Sequence, residues 1–366
     1  MKLLTSAAVS LLLISLAGVS YSQISQIERE ALIALFNATG GYNWSINNGW
    51  NGAAGTECDW YGVGCSYGSV SRIVLDDNSL SGSIPAELGN LTNLTSLYLN
   101  VNSLTGSIPS ELGNLTNLVF LSLNNNSLSG SIPTELGNLT KVTVLYLGNN
   151  SLTGSIPAEL GNLTNVTDLS LNFNSLTGNV PSELGNLTNL TSLDISINSL
   201  SGSIPAELGN LTNLTGLSLA YNSLTGSIPA ELGNLTNLTS LSFNNNSLSG
   251  GIPAELGNLT NLTYLFLDNN SLTGSIPSQL GNLTNLSGFS LGDNFLTGPL
   301  PQWLSDMAIP YLNVTDAFNE WPSPYNGVTP DSSFNLEFNN IGTFNSSDST
   351  IYTCLRVFTD GLPGSV

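Results

Sequence analysis

GNLTNLTSLYLNVNSLTGSIPSEL, residues 89–112, returns with small changes throughout the middle of the chain. Its final asparagine marks the period: Asn78, Asn102, Asn126, Asn150, Asn174, Asn198, Asn222, Asn246, Asn270 and Asn294 follow one another at intervals of 24 residues, with no insertion. A strict internal period overrides any estimate of domain number from the length of 366 residues. The unit is L-x-x-L-x-x-L-x-L-x-x-N-x-L-[ST]-G-x-I-P-x-E-L-G-N. In its L-x-L core, alternation puts both leucines on one face of a short strand and their neighbours on the other. The Gly and Pro that follow turn the chain and stop the strand. One such unit cannot bury its leucines alone, whereas about ten units stacked at the ~4.8 Å strand spacing make a continuous core. The asparagine ending each strand faces inward, so its amide must bond turn backbones of its own and neighbouring coils.

This unit resembles the leucine-rich repeat of the plant-type subclass, whose marks are L-x-x-L-x-L-x-x-N-x-L-[ST]-G-x-I-P, over residues 73 to 300. The resemblance implies an α/β repeat fold: a right-handed solenoid with a parallel β-sheet on the concave face and an irregular or 3-10 convex side. It also implies a recognition module rather than an enzyme. Upstream, ISQIEREALIALFNAT (24–39) sets Ile27, Ala31, Leu35 and Ala38 at helical spacing, and Gly40-Gly41 stops the helix. The Trp-rich stretch after it, with CDWYGVGC at 58–65, is similar to that family's N-terminal cap, in which the two cysteines pair with each other; here these are Cys58 and Cys65.

Residues 1–22 read as a secretory signal peptide, with Lys2 near the start, an apolar run from Ala7 to Val19, and Ser20 and Ser22 before a cut at Gln23. The domain reading is therefore 1–22 signal peptide, 23–70 N-terminal cap, 71–302 solenoid and 303–366 C-terminal cap or tail. In the tail, 334–338 and 351–358 alternate like strands, and Cys354 is left without an evident mate. No run of apolar residues is long enough to insert in a membrane, so a secreted or cell-surface protein is expected.

Without Lys2, 25 acidic side chains stand against four basic ones, a net charge of −21. Such a surface repels nucleic acid and anionic lipid. The sequence contains no histidine, which removes imidazole acid–base catalysis, His-activated nucleophiles and His-based metal sites together. Gly288-Phe289-Ser290-Leu291-Gly292 matches a nucleophile-elbow pattern but falls on a repeat strand with no His to act as base. The column Glu87, Glu111, Glu135, Glu159, Glu183, Glu207, Glu231 and Glu255, broken by Gln279, is one repeated position rather than a converging pair, and reads as a solvated outer stripe. No cofactor or metal is expected.

Positions that vary between copies carry the functional question. The column between the strand leucines and the column before it face out of the concave sheet, and there Tyr98, Phe120, Tyr146, Asp168, Asp194, Tyr264 and Phe266 are the candidate contacts for a protein, peptide or glycan. Exposed aromatics of this kind anchor interfaces. A second candidate face is the ladder Thr95, Thr143, Thr167, Thr191, Thr215, Thr239 and Thr263, interrupted by Val119. Regular threonines resemble the faces of ice-binding proteins, although β-propensity alone favours Thr there. Within the recognition class an inhibitor of a secreted hydrolase is a further alternative. The overlapping sequons Asn90-Leu91-Thr92 and Asn93-Leu94-Thr95 recur because the unit is copied. The acidic surface carries a direct test: the melting temperature followed by circular dichroism rises on adding NaCl or CaCl2 as self-repulsion is screened, and a flat response to both would remove the charge argument.

Overall fold

The computed structural model describes residues 24–307 and 309–314. The signal-peptide reading, the tail from 315 onward with its strand-like stretches, and Cys354 lie outside the described residues.

The chain opens with the helix Gln26–Ala38. Ser25 caps it: the Glu28 amide donates to Ser25 Oγ at 3.3 Å, and the Ser25 amide donates to Glu28 Oε2 at 3.0 Å. This reciprocal box satisfies amides that helix geometry leaves free. The helix buries Ala31, Leu32, Leu35 and Phe36, and the other Glu28 oxygen accepts from the Val70 amide, which fastens the helix to the first sheet strands. Around Phe36 the cap packs Trp44, Trp50 and Trp60. Cys58 and Cys65 form a disulfide with 5.5 Å between their Cα atoms. Arg29 forms an ion pair with the buried Glu57, donates to the Gly52 carbonyl at 2.7 Å and lies over the Trp60 ring. Burial works against the Glu57 charge, yet hydrogen bonds from its own backbone, Arg29 and Gly55 outweigh it and hold the carboxyl below its ordinary value.

The hairpin Val63–Ser66 and Ser69–Val74 is antiparallel and starts a 12-stranded sheet whose remaining strands pair in parallel, each with the next coil. Equivalent positions face one another throughout, as in Ser96 with Phe120, Leu97 with Leu121 and Tyr98 with Ser122. The leucines of the repeat are buried completely, for example Leu91, Leu94, Leu97 and Leu99 at 0% exposure. Short 3-10 helices such as Ala158–Asn162 stack on the opposite flank. The glycine of each E-L-G-N is required by that stacking: a Cβ on Gly137 would lie 2.5 Å from the Glu159 carbonyl oxygen of the following coil.

The expected asparagine ladder is present in every coil from Asn102 to Asn294. Asn174 donates through Nδ2 to the Leu147 carbonyl of the preceding coil at 3.1 Å and to Leu171 and Asn172 of its own, while its Oδ1 accepts from the Leu152 amide at 2.9 Å. Immediately before each of these asparagines the backbone is left-handed, at Val101, Asn125, Asn149, Phe173, Ile197, Tyr221, Asn245, Asn269 and Asp293. Asn and Asp tolerate that conformation, whereas Val101 and Ile197 hold it against their branched Cβ.

The third layer consists of short strands in the S-L-[ST]-G-x segment, such as Ser151–Ser155 and Ser175–Asn179, which pair in parallel between coils. At the far end the helix Gln302–Asp306 replaces the 3-10 turn, and Tyr311–Asn313 pairs in parallel with Gly288–Ser290. The sheet thus continues beyond residue 302, where the repeat motif fades. Trp303 holds the end by lying edge-on to Phe289 at 6.0 Å and beneath Gly281, where a Cβ would come within 3.0 Å of its ring.

Two substitutions separate the ladder from the strain beside it. Asn174→Ala leaves backbone groups unpaired in two coils and lowers unfolding free energy by about 2 kcal/mol or more. Val101→Asn, at a side chain 45% exposed, relieves the left-handed strain and raises stability by about 1 kcal/mol in urea titration.

Candidate ligand-binding face

Alternation places three columns on the solvent side of the long sheet. Two were expected, those of Ser96 and Tyr98; the third continues the alternation past the second leucine and comprises Asp76, Asn100, Asn124, Gly148, Asn172, Ser196, Ala220, Asn244, Asp268 and Gly292. Side chains of all three columns open onto one recess of about 600 Å³ that includes Val74, Asp76, Tyr98, Asn100, Phe120, Asn124 and Tyr146. The third column escaped the sequence reading, although extending the period-two pattern by one step from Tyr98 would have found it.

The face divides into three zones. In the first, Tyr98 and Phe120 are half-buried and nearly parallel, with centroids 6.2 Å apart and 23° between their planes. Tyr146, on the next strand but one from Tyr98, has its phenol raised above its ordinary value by burial, with the Asp168 charge and Tyr98 adding to the effect. It therefore stays protonated as a hydrogen-bond donor at neutral pH.

The middle zone is lined by small and polar groups that bond among themselves. There Ser170 and Ser242 donate to Asn172 and Asn244 at 2.9 and 2.7 Å, as Ser122 does to Asn124 at 2.7 Å within the first-zone recess. Asp194 accepts from both the amide and the hydroxyl of Ser196, the latter at 2.6 Å, and burial still pushes its carboxyl above the ordinary value. Asp168 Oδ2 lies 2.8 Å from Thr167 Oγ1, a second acceptor for the one proton of that hydroxyl.

The third zone is closed on itself. Tyr264 is half-buried, but Phe266, expected as an exposed contact, is only 8% exposed. The reason is the glycine across from it: Gly288 has no side chain, so the rings of Tyr264 and Phe266 lie over its backbone, and Tyr311 meets Phe266 edge-on at 5.9 Å. Phe266 is thus a packing residue. Beside it Asp268 is 2% exposed and Ser290 is fully buried. Burial raises the Asp268 carboxyl, and Asp293 adds to that, against hydrogen bonds from Ser290 and, at 3.0 Å, from Asn269.

The threonine ladder is engaged with the scaffold. Thr95 donates to the Ser71 carbonyl, Thr143 to Val119, Thr167 to Thr143, Thr191 to Thr167, Thr215 to Thr191, Thr239 to Thr215 and Thr263 to Thr239, at 2.8 to 3.2 Å. Each hydroxyl therefore buttresses the preceding coil. The second asparagine of the overlapping sequons acts likewise: Asn165 and Asn189 donate to the Thr140 and Thr164 carbonyls. The glutamate column is exposed on the outer flank, and among the described residues no group of three or more His, Cys, Asp or Glu gathers to hold a metal.

Residues 73–205 match the family described as Leucine-rich repeat region, and 213–235, 237–259 and 261–283 match Leucine Rich Repeat. The chain belongs to the leucine-rich-repeat family. Solved structures similar to this leucine-rich-repeat chain include the ectodomain of the Arabidopsis thaliana membrane receptor kinase GASSHO1/SCHENGEN3 in complex with CASPARIAN STRIP INTEGRITY FACTOR 2, at 41% identity, TM-score 0.74, and 77% and 34% coverage of this chain and that one. The Arabidopsis HAESA ectodomain with an IDA peptide hormone ligand is 34% identical, with TM-score 0.63, covering 75% and 47%. A plant ice-binding protein is 30% identical, with TM-score 0.66, covering 81% of this chain and 94% of its own. The chain thus spans a third to a half of the receptor chains and nearly all of the ice-binding protein.

The buried aspartate gives a pH test. Between the unfolded value near 3.8 and the higher folded one, the native state holds a proton that the unfolded chain has lost, so stability falls as pH rises through that window. Asp268→Asn removes the charge and supplies a donor beside Ser290. Thermal melts place this variant above the wild type at neutral pH, with the gap closing as pH falls toward the ordinary carboxylate range.

Proposed function

We propose that this chain is an extracellular, non-catalytic recognition protein that binds a protein or peptide ligand on the concave face of its solenoid, with Tyr98, Phe120, Tyr146, Asp168 and Asp194 as contacts. The observation that carries this reading is the recess in the first zone, which three large half-exposed rings on successive strands line together, whereas Phe266 at the far end is packed away. Unfilled aromatic surface beside polar groups is the composition of an interface centre. The HAESA ectodomain, similar in fold and sequence, binds a peptide hormone, which supports a peptide as the ligand class. A glycan ligand and inhibition of a secreted hydrolase fit the same face. Affinity capture from the organism's own extracellular material with wild type and Tyr98→Ala/Tyr146→Ala tests the site. The partner is expected to be lost with the variant, and equal capture by both proteins would sink the assignment.

A second reading, ice binding, is supported by the likeness to the plant ice-binding protein along nearly its whole length. Two faces serve it. The threonine ladder has its donors turned inward, whereas Ser151, Thr153 and Ser155 are exposed and their equivalents recur in the neighbouring coils. Thermal hysteresis and ice shaping at high micromolar protein decide this reading. Activity lost with Thr153→Leu/Thr177→Leu but kept with Thr167→Leu/Thr191→Leu assigns the outer strands, and no ice shaping by the wild type removes the reading.

A further inference from the structure

The first zone of the concave face is acidic as well as aromatic. Asp76 and Asp77 stand at its entrance, exposed, and Asp168 stands beyond Tyr146. Among the described residues the single ion pair is Arg29–Glu57 in the cap, so none of the described bases pairs with these three carboxylates. Arg72, exposed at the first strand, is the lone base on the sheet's open columns, and Lys141 is drawn to the flank, where its Nζ donates to Asn117 Oδ1 at 2.7 Å. Between the carboxylates runs the row Tyr98, Phe120 and Tyr146, each ring half-exposed. Aromatic faces and carboxylates share one ligand preference: both attract ammonium and guanidinium groups, the rings through their quadrupole and the carboxylates through charge-assisted hydrogen bonds. Acidic ligands face repulsion along the same path.

We propose that this zone selects an extended peptide bearing lysine or arginine side chains, which crosses the strands with its cations alternately on the aromatic row and on Asp76 and Asp168. The proposal rests on the concave-face reading above and narrows its ligand class. The spacing fits: Asp76 and Asp168 are about four coils apart across the strands and four residues apart along them, ~23 Å in all, which an extended chain covers in about seven residues. The recess offers side-chain room beside Asn100 and Asn124.

The test uses the full chain and three fluorescent peptides of otherwise identical sequence, carrying lysine, glutamine or glutamate at alternate positions, read by fluorescence anisotropy. The lysine peptide is expected to bind, the glutamine peptide more weakly and the glutamate peptide not at all. Asp76→Asn/Asp168→Asn weakens the lysine peptide about tenfold. The control Glu159→Gln/Glu183→Gln removes the same charge from the outer flank and changes binding by less than about twofold. Both pairs are at sites that are not deeply buried, and circular dichroism verifies folding. Equal loss with both pairs overturns the proposal in favour of diffuse charge attraction. Equal binding of all three peptides, lost with Tyr98→Ala, overturns the cation preference while the concave-face reading stands. No binding of the lysine peptide, or binding insensitive to Tyr98→Ala, overturns the proposal, whereas the concave-face reading is judged by capture of the natural partner.

Discussion

A single inward-facing amide per coil carries the architecture. Leucines supply the apolar area of the core, but apolar contact is indifferent to register, and a slip of one residue would still bury many of them. The amide of Asn174 is not indifferent. It bonds carbonyls in its own coil and the previous one, and its oxygen takes an amide 22 residues upstream, so the coil must close at a fixed length. An unbonded amide in that position would carry the full cost of desolvation. This is why the spacing tolerates no insertion between Asn78 and Asn294, and why the strand pairing keeps equivalent positions opposed throughout.

The same constraint explains features that would look like defects in isolation. To point the amide inward, the preceding residue must turn left-handed, even where it is Val101 or Ile197. The strain persists because the ladder over-determines the backbone there. Close stacking of the 3-10 flank forces glycine at positions such as Gly137, and the hydroxyls of the threonine ladder are drawn into bonds with the coil before. Regularity in the sequence is thus largely regularity of scaffold. The repeated threonines and sequon asparagines, which look functional when read as letters, are substantially occupied in holding coil to coil.

What was legible in the sequence follows from this. Period, strand phase, cap helix and asparagine role are local and repeated, so each copy confirms the others. The exposed or buried state of Phe266 was not legible, because it depends on Gly288 one coil later and on Tyr311, which lies past the end of the repeat motif. The continuation of the sheet to Tyr311–Asn313 was hidden for the same reason: hydrogen-bonded pairing with the previous strand needs an extended backbone, not the leucine motif. The column of Asp76 and Asn100 was hidden by a choice of columns rather than by physics.

These differences place chemical individuality on one end of one face. In the middle of the sheet, serines and asparagines satisfy one another, which leaves few donors for a ligand. At the C-terminal end, glycine lets the rings lie over bare backbone, which takes Phe266 out of solvent. In the first zone bulky rings stand on neighbouring strands with side chains at every opposed position, Phe120 facing Ser96 and Val144 and Tyr146 facing Ser122 and Ser170, whereas Tyr264 faces the bare Gly288. The rings there cannot fold down onto bare backbone as those over Gly288 do. A sheet that must keep every coil equal can present a distinctive surface only where large side chains are denied a glycine to lie on, and the acidic groups flanking Tyr98, Phe120 and Tyr146 make that surface selective by charge as well as by shape.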